Sequence, residues 1–213
     1  HPTLSGRVRP THHSLNLALT WERCVRRTLH ELIMSNYRRL RVPGATYFFT
    51  VKVWNRRRVN LTGPEFRQAL REGIQQTRLT LPFTIDAWVL LPDHLHCLWT
   101  LPPNDTNYSA RWAILKRYVS QHCGTPTGSL ISPSRTRRRE SGIWQRRFWE
   151  HVIRDDHDFE KHFDYTHWNP VKHGYVTRVR DWPYSTFHRY VTAGIYPLDW
   201  GGVPNLEEAE FGE

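Results

Sequence analysis

From Thr46 to Trp54 the chain reads TYFFTVKVW, and Phe49, Val51 and Val53 fall on alternate positions after a Pro43-Gly44 turn. A period of two in aromatic and β-branched residues predicts a strand. The basic stretch NRRRVNLTG follows, and Pro64 then opens a segment in which Phe66, Ala69, Leu70, Ile74 and Thr77 recur at helical spacing until Pro82. FTIDAWVLL and HLHCLWTL are apolar runs of strand length divided by Pro92 and Asp93. They predict two neighbouring strands joined by a tight connection. Asn107 or Ser109 can cap a second helix, with Trp112, Leu115, Val119 and Cys123 as its apolar stripe and Gly124 as its stop. IWQRRFWEHVI returns to a strand pattern. Asp155 or Asp156 then caps a third helix, DHDFEKHFDYTHWN, with Phe159, Phe163 and Thr166 facing inward and Pro170 expected to end or redirect it.

The order strand, helix, strand, strand, helix, strand, helix predicts an α+β chain of the split β-α-β, ferredoxin-like kind: a largely antiparallel sheet with helices packed on one face. Residues 1–34 are expected as a poorly ordered amino-terminal extension, 35–176 as the main folded domain and 177–213 as a carboxy-terminal tail. The segment GTPTGSLISPSRTRRRESG has no periodicity and is expected as a basic loop. No internal repeat and no phosphate-cradling glycine motif is present.

Composition narrows the partner rather than the fold. Of the 213 residues, 30 are Lys or Arg and 20 are Asp or Glu, a formal charge of +10. With 10 tryptophans beside those arginines, the mixture suits phosphate contacts and stacking on unpaired bases; a basic protein with a tryptophan-rich core would show the same composition. Three cysteines without paired spacing, Cys24, Cys97 and Cys123, point away from a disulfide framework or cysteine zinc site. No apolar run approaches the ~20 residues of a membrane span. A cytoplasmic, nucleoid-associated protein without a membrane partner or organic cofactor is expected.

Candidate chemistry starts at HLH. Side chains alternate across a strand, so His94 and His96 share a face while Leu95 and Cys97 share the other. Both imidazoles can reach one divalent ion, although two solvent-facing polar positions give the same pattern. On the third helix Tyr165 and Asn169 are four residues apart and so on one face. A phenol can serve as a covalent nucleophile and an amide oxygen as a metal ligand. A packing tyrosine and a helix-terminating asparagine fit the same spacing. His151, His162, His167 and His173 lie nearby without an assigned role.

HLH, the run WQRRFWEHVIRDDHDFEKHFDYTHWNPVKHG, the segment DWPYSTFHRY and the earlier NYRRLRVPGATYFFTV and AWVLLPDHLHCLWTLP together resemble the REP-associated tyrosine transposases, relatives of the single-tyrosine insertion-sequence transposases. The resemblance covers roughly Ser35 to Gly201. It implies a ferredoxin-like domain in which His94, His96 and Asn169 hold Mg²⁺ or Mn²⁺. Tyr165 would be the nucleophile that cuts and rejoins single-stranded DNA near repetitive extragenic palindromic (REP) hairpins through a 5′-phosphotyrosine. Tyr37, Arg38, Arg39, Arg41, Lys116, Arg117, Arg146, Arg147 and Lys172 are then candidates for DNA contacts. A monomer is expected. Two other readings stay open: a non-catalytic hairpin-binding protein, and a metal-dependent phosphodiesterase that uses water.

Overall fold

The computed structural model describes residues 39–124, 137, 142–201 and 211. The expected extension and most of the Arg-rich loop therefore lie outside the described residues. Arg41–Glu213 forms one compact unit.

The elements are β1 (Thr46–Lys52), α1 (Pro64–Thr80), β2 (Thr84–Leu90), β3 (His94–Thr100), α2 (Tyr108–Cys123), β4 (Trp149–Val152), α3 (Asp156–Lys172), a 3₁₀ turn (Val179–Asp181) and α4 (Phe187–Thr192). The strands form one four-stranded sheet in the order β2-β3-β1-β4, and every pairing is antiparallel. That order is the one a split β-α-β unit produces. β4 is shorter than the sequence pattern implied; Trp144 makes only an isolated bridge to Val53.

Helices cover both faces of the sheet, not one. On the first face Phe49, Val51, Leu95, Cys97 and Trp99 pack against Ala69 and Leu70 of α1 and Trp112, Leu115 and Val119 of α2. Trp99 and Trp112 stack there with ring centroids 4.2 Å apart and planes 12° from parallel. On the second face Phe48, Ala87 and Leu98 pack against Phe163 and Tyr165 of α3 and Phe187 of α4. The cause is in the strands: β1 and β3 carry bulky residues in both alternation classes, and water cannot cover either. Residues 177–213, expected as a tail, contribute Val179, Phe187, Tyr196 and Phe211 to this second core.

The ends of α2 and α3 follow side-chain chemistry. Asn107 caps α2 by accepting from the Ala110 N–H, and Asp155 caps α3 by accepting from the Asp158 N–H. The buried guanidinium of Arg111 donates to the Pro82 carbonyl and the Asp105 carboxylate at 2.6 Å each, tying the entry of β2 to α2. Pro170 does not end α3, which continues to Lys172. Near the carboxy-terminal end the missing N–H forfeits a single helical bond, and Tyr175 N–H closes onto the Pro170 carbonyl at 3.0 Å. Among the described residues no helix is long and apolar enough to cross a membrane.

Gly73 sets the approach of α1 to α2. A Cβ at this position would lie 2.8 Å from Leu115 Cδ1 and 3.1 Å from Tyr118 Cδ1. Gly73→Val is expected to lower the unfolding free energy by about 2 kcal/mol, as overpacking does in a filled core. Urea denaturation reads this directly, and an unchanged midpoint would show that the two helices part without cost.

Candidate active site

β3 turns His94 and His96 toward the face that α3 covers. His96 is fully buried, with its ring parallel to Phe48 at 5.4 Å and edge-on to Tyr165 at 5.3 Å. His94 meets His96 at 4.9 Å and His173 at 5.1 Å, measured between ring centroids. His96 therefore lies opposite Tyr165, and His94 opposite His173. Asn169 is four residues from each of Tyr165 and His173, on the same helical face between these two contacts, and is fully buried. The fold thus gathers His94, His96, Tyr165 and Asn169 on one seam between β3 and α3, and adds His173 at its end.

Two neighbours absent from the sequence argument fix the histidine tautomers. Asp93 Oδ1 lies 2.7 Å from His94 Nδ1. The hydrogen bond from His94 holds the Asp93 carboxyl below its usual range despite partial burial, so the carboxylate accepts and Nδ1 carries the hydrogen. For His96, Thr50 is decisive. The Thr50 hydroxyl donates its single hydrogen to the Phe211 carbonyl at 2.6 Å, so its oxygen must accept from His96 Nδ1 at 2.9 Å. In both rings the remaining nitrogen, Nε2, carries the lone pair. Such orienting partners hold metal-ligating histidines in place.

Tyr165 is fully buried. The Phe211 ring stacks on it with centroids 3.7 Å apart and planes 16° from parallel. Lys172 Nζ donates to the Tyr165 hydroxyl at 3.1 Å. Sequence reasoning had placed Lys172 with the DNA contacts; the structure places its ammonium on the candidate nucleophile.

A second imidazole cluster lies one turn earlier on α3. His151, Asp158 and His162 offer ligand-type atoms within 4.8 Å of one another. The two imidazoles, however, stack at 4.5 Å with planes 13° from parallel, so their in-plane lone pairs run side by side and do not converge. Asp158 Oδ2 accepts from His151 Nε2 at 2.8 Å and from the Arg154 N–H at 3.0 Å, while His162 Nδ1 donates to the Asp158 carbonyl at 2.8 Å. Burial works against charge on Asp158, yet these partners hold its carboxyl below the usual range. The cluster is a hydrogen-bonded clamp between β4 and α3.

The candidate DNA contacts are scattered. Tyr37 and Arg38 lie outside the described residues. Arg39 is half-buried and Arg41 exposed. Arg117, Arg146 and Arg147 are exposed, and Lys116 joins them by donating to the Gln145 carbonyl at 3.1 Å while sitting 5.3 Å over the Phe148 ring. A more concentrated basic surface was missed. Arg67, Arg71 and Arg78 of α1 and Arg189 of α4 line a groove of about 570 Å³ with Trp88 and Tyr184. The Arg67 guanidinium lies 4.9 Å over the Tyr184 ring. The spacing of Arg67, Arg71 and Arg78 on one helical face was the available signal.

Comparison with known proteins decides the family. A REP-associated tyrosine transposase of Escherichia coli strain K12 is 47% identical over 169 residues, 79% of this chain and 92% of that protein. The chain belongs to the REP-associated tyrosine transposases. A Haemophilus influenzae protein assigned to the same family is 49% identical over 178 residues, 82% of this chain and 97% of that protein. A solved structure of a member bound to a REP hairpin shares 45% identity at a TM-score of 0.71, covering 84% of this chain and 96% of that one. No family model matches. Membership agrees with the α+β fold, whose antiparallel sheet carries the family's packed helices.

Two buried histidines on α3 give a test of stability. Burial pushes His162 down to about 4 and His167 down to about 3. The unfolded chain takes up protons on both near an ordinary histidine pKa of about 6.5, whereas the folded chain does not. Stability is therefore expected to fall as pH drops from about 6.5 to 4, each histidine contributing at most ~1.4 kcal/mol per pH unit. Urea unfolding across that range measures the slope; a flat profile would contradict neutral burial of both rings.

Proposed function

We propose that this transposase cuts and rejoins single-stranded DNA at REP hairpins through a covalent 5′-phosphotyrosine on Tyr165. The observation that carries this reading is the meeting of Tyr165 with His96 at 5.3 Å across the β3–α3 seam that also holds His94 and Asn169. The hairpin substrate follows from the relative whose structure holds one. Transposase chemistry is what the curated relatives are named for.

The donor set fits a small divalent cation. His94 and His96 have Nδ1 occupied by Asp93 and Thr50, which leaves Nε2 as the basic nitrogen of each ring, and Asn169 can supply an amide oxygen. These three would hold Mg²⁺ or Mn²⁺, with two imidazole ligands favouring Mn²⁺. When bound, the ion would supply Lewis-acid stabilisation of charge on the scissile phosphate.

The reaction balances without an external energy source. The Tyr165 oxygen forms a bond to phosphorus as the bond from phosphorus to the 3′ oxygen breaks. The phenol loses one proton and the 3′ oxygen gains one. Because one phosphodiester replaces another, a different 3′-OH can reverse the step and join strands. The seam is built on packed secondary structure, which holds the nucleophile in place without a loop to order. Lys116, Arg117, Arg146 and Arg147 on one side, and the four arginines of the α1–α4 groove on another, offer phosphate contacts that position DNA without reading its sequence. The protein works as a monomer on this reading, since one chain supplies both the histidines and the tyrosine.

Phe211 constrains the reaction. Its ring covers the Tyr165 ring, and Tyr165 has no exposed surface, so on this reading the Phe211 ring swings aside to open Tyr165 to a phosphate while its backbone carbonyl stays on Thr50.

Incubating the protein with a labelled single-stranded REP hairpin and Mn²⁺, followed by a denaturing gel, should give a protein–DNA adduct. Tyr165→Phe is expected to abolish it while hairpin binding persists, and His96→Ala is expected to remove metal-dependent cleavage. Cleavage by the phenylalanine variant would instead indicate water as the nucleophile, and binding without any adduct would indicate a non-catalytic hairpin binder.

Phe211→Ala is expected to raise the single-turnover rate of adduct formation several-fold. An unchanged or lower rate would show that the stacked ring does not limit access.

A further inference from the structure

Tyr165 and Lys172 lie seven residues apart on α3, two turns along one helical face. They share that face because the helix continues through Pro170; a helix ending at Asn169 would leave Lys172 without a fixed direction. Nζ lies 3.1 Å from the Tyr165 hydroxyl and 5.0 Å from the centre of its ring, and the lysine is half-buried. An ammonium has three donors and no acceptor, so this hydrogen bond has one direction: lysine donates, and the phenolic oxygen accepts. The phenol's own hydrogen points elsewhere and leaves by another route.

We infer that Lys172 is a catalytic residue of the tyrosine chemistry, its ammonium stabilising negative charge on the Tyr165 oxygen as the phosphotyrosine bond is made and broken. The inference rests on the function proposed above and goes beyond it by giving the nucleophile's own oxygen a cationic partner. In cleavage the oxygen loses its proton and carries negative charge until the bond to phosphorus forms. In rejoining the bond from phosphorus to Tyr165 breaks, and the same oxygen departs with the electron pair. Lysine keeps its proton in both directions. Its hydrogen bond is weak to a neutral phenol and about twice as strong once the acceptor is charged, so it stabilises the transition state more than either ground state. A cation in the last turn of a helix also lies where the peptide dipoles favour positive charge.

A lysine that only held DNA would act differently. It would change the affinity for the hairpin and its salt dependence, and leave the rate at saturating DNA alone. The test compares wild type, Lys172→Met, Lys172→Arg and Tyr165→Phe with a labelled single-stranded REP hairpin and Mn²⁺. Hairpin affinity is measured in EDTA, and adduct formation in a single turnover at saturating protein. Lys172→Met is expected to bind the hairpin within about twofold of wild type and to form adduct about 100-fold more slowly, the loss seen when one donor to a developing charge is removed. Lys172→Arg, which keeps a donor and the charge, is expected to recover part of the rate. Wild-type rates from Lys172→Met, or a defect confined to affinity, would overturn the inference while leaving the phosphotyrosine reading intact. Absence of an adduct from wild type, or cleavage by Tyr165→Phe, would instead overturn that reading and this inference with it.

Discussion

The site depends on α3 lying flat against the second face of the sheet. That packing is driven by ordinary apolar burial: Phe48, Ala87 and Leu98 from the strands meet Phe163 and Tyr165 from the helix. The candidate nucleophile is thus also a core residue, and the apolar contacts that stabilise the fold bring its ring against His96. Any change that lifts α3 from the sheet dismantles the seam. The His151–Asp158–His162 clamp holds the start of α3 to β4, and the contacts of His167 with Thr186 at 2.9 Å and of Tyr196 with Asp164 hold its middle.

Within that frame, hydrogen bonds select tautomers. His96 is enclosed by Phe48, Tyr165 and Thr50. A neutral imidazole has one donor and one acceptor nitrogen, and Thr50 assigns them. Asp93 does the same for His94, with a carboxylate in place of a hydroxyl. The two histidines thus face the seam through the same nitrogen although their supporting partners differ in charge.

Much of this was legible in the chain. Alternation in TYFFTVK and HLHCLWT located the central strands and put His94 and His96 on one face, and the four-residue spacing of Tyr165 and Asn169 put them on one face of a helix. Periodicity could not show which faces meet; that came from the family resemblance and then from the packing. Thr50, Asp93 and Phe211 escaped notice because their roles depend on contacts across the fold, with Phe211 reaching Thr50 from 161 residues away. Pro170 was misjudged because a local preference against helix was weighed without the packing of its neighbours on both sides. The covering of both sheet faces was implied by two bulky alternation classes in β1, but helix order alone does not say which face a third helix takes.

If the fully buried Tyr165 is the nucleophile, substrate binding and exposure of the tyrosine are linked. Covering Tyr165 with Phe211 removes apolar surface from water, and an aromatic ring buries 150–250 Å², worth about 4–6 kcal/mol at ~25 cal/mol per Å² as an upper bound. On the proposed reading, hairpin contacts with an intrinsic affinity in the micromolar to nanomolar range, before the cost of moving the ring, would supply about 8–12 kcal/mol, enough to offset this displacement. Nonspecific DNA, held through phosphates alone at about 10⁻⁴–10⁻⁶ M, supplies roughly 5–8 kcal/mol and has little left over. On the proposed reading, Phe211 therefore acts on catalysis through binding energy: only a substrate that makes the additional hairpin contacts can both displace the ring and remain bound while the phosphate reaches Tyr165. Selectivity for hairpins would then reside partly in the energy needed to uncover the nucleophile, separately from any contact to a base.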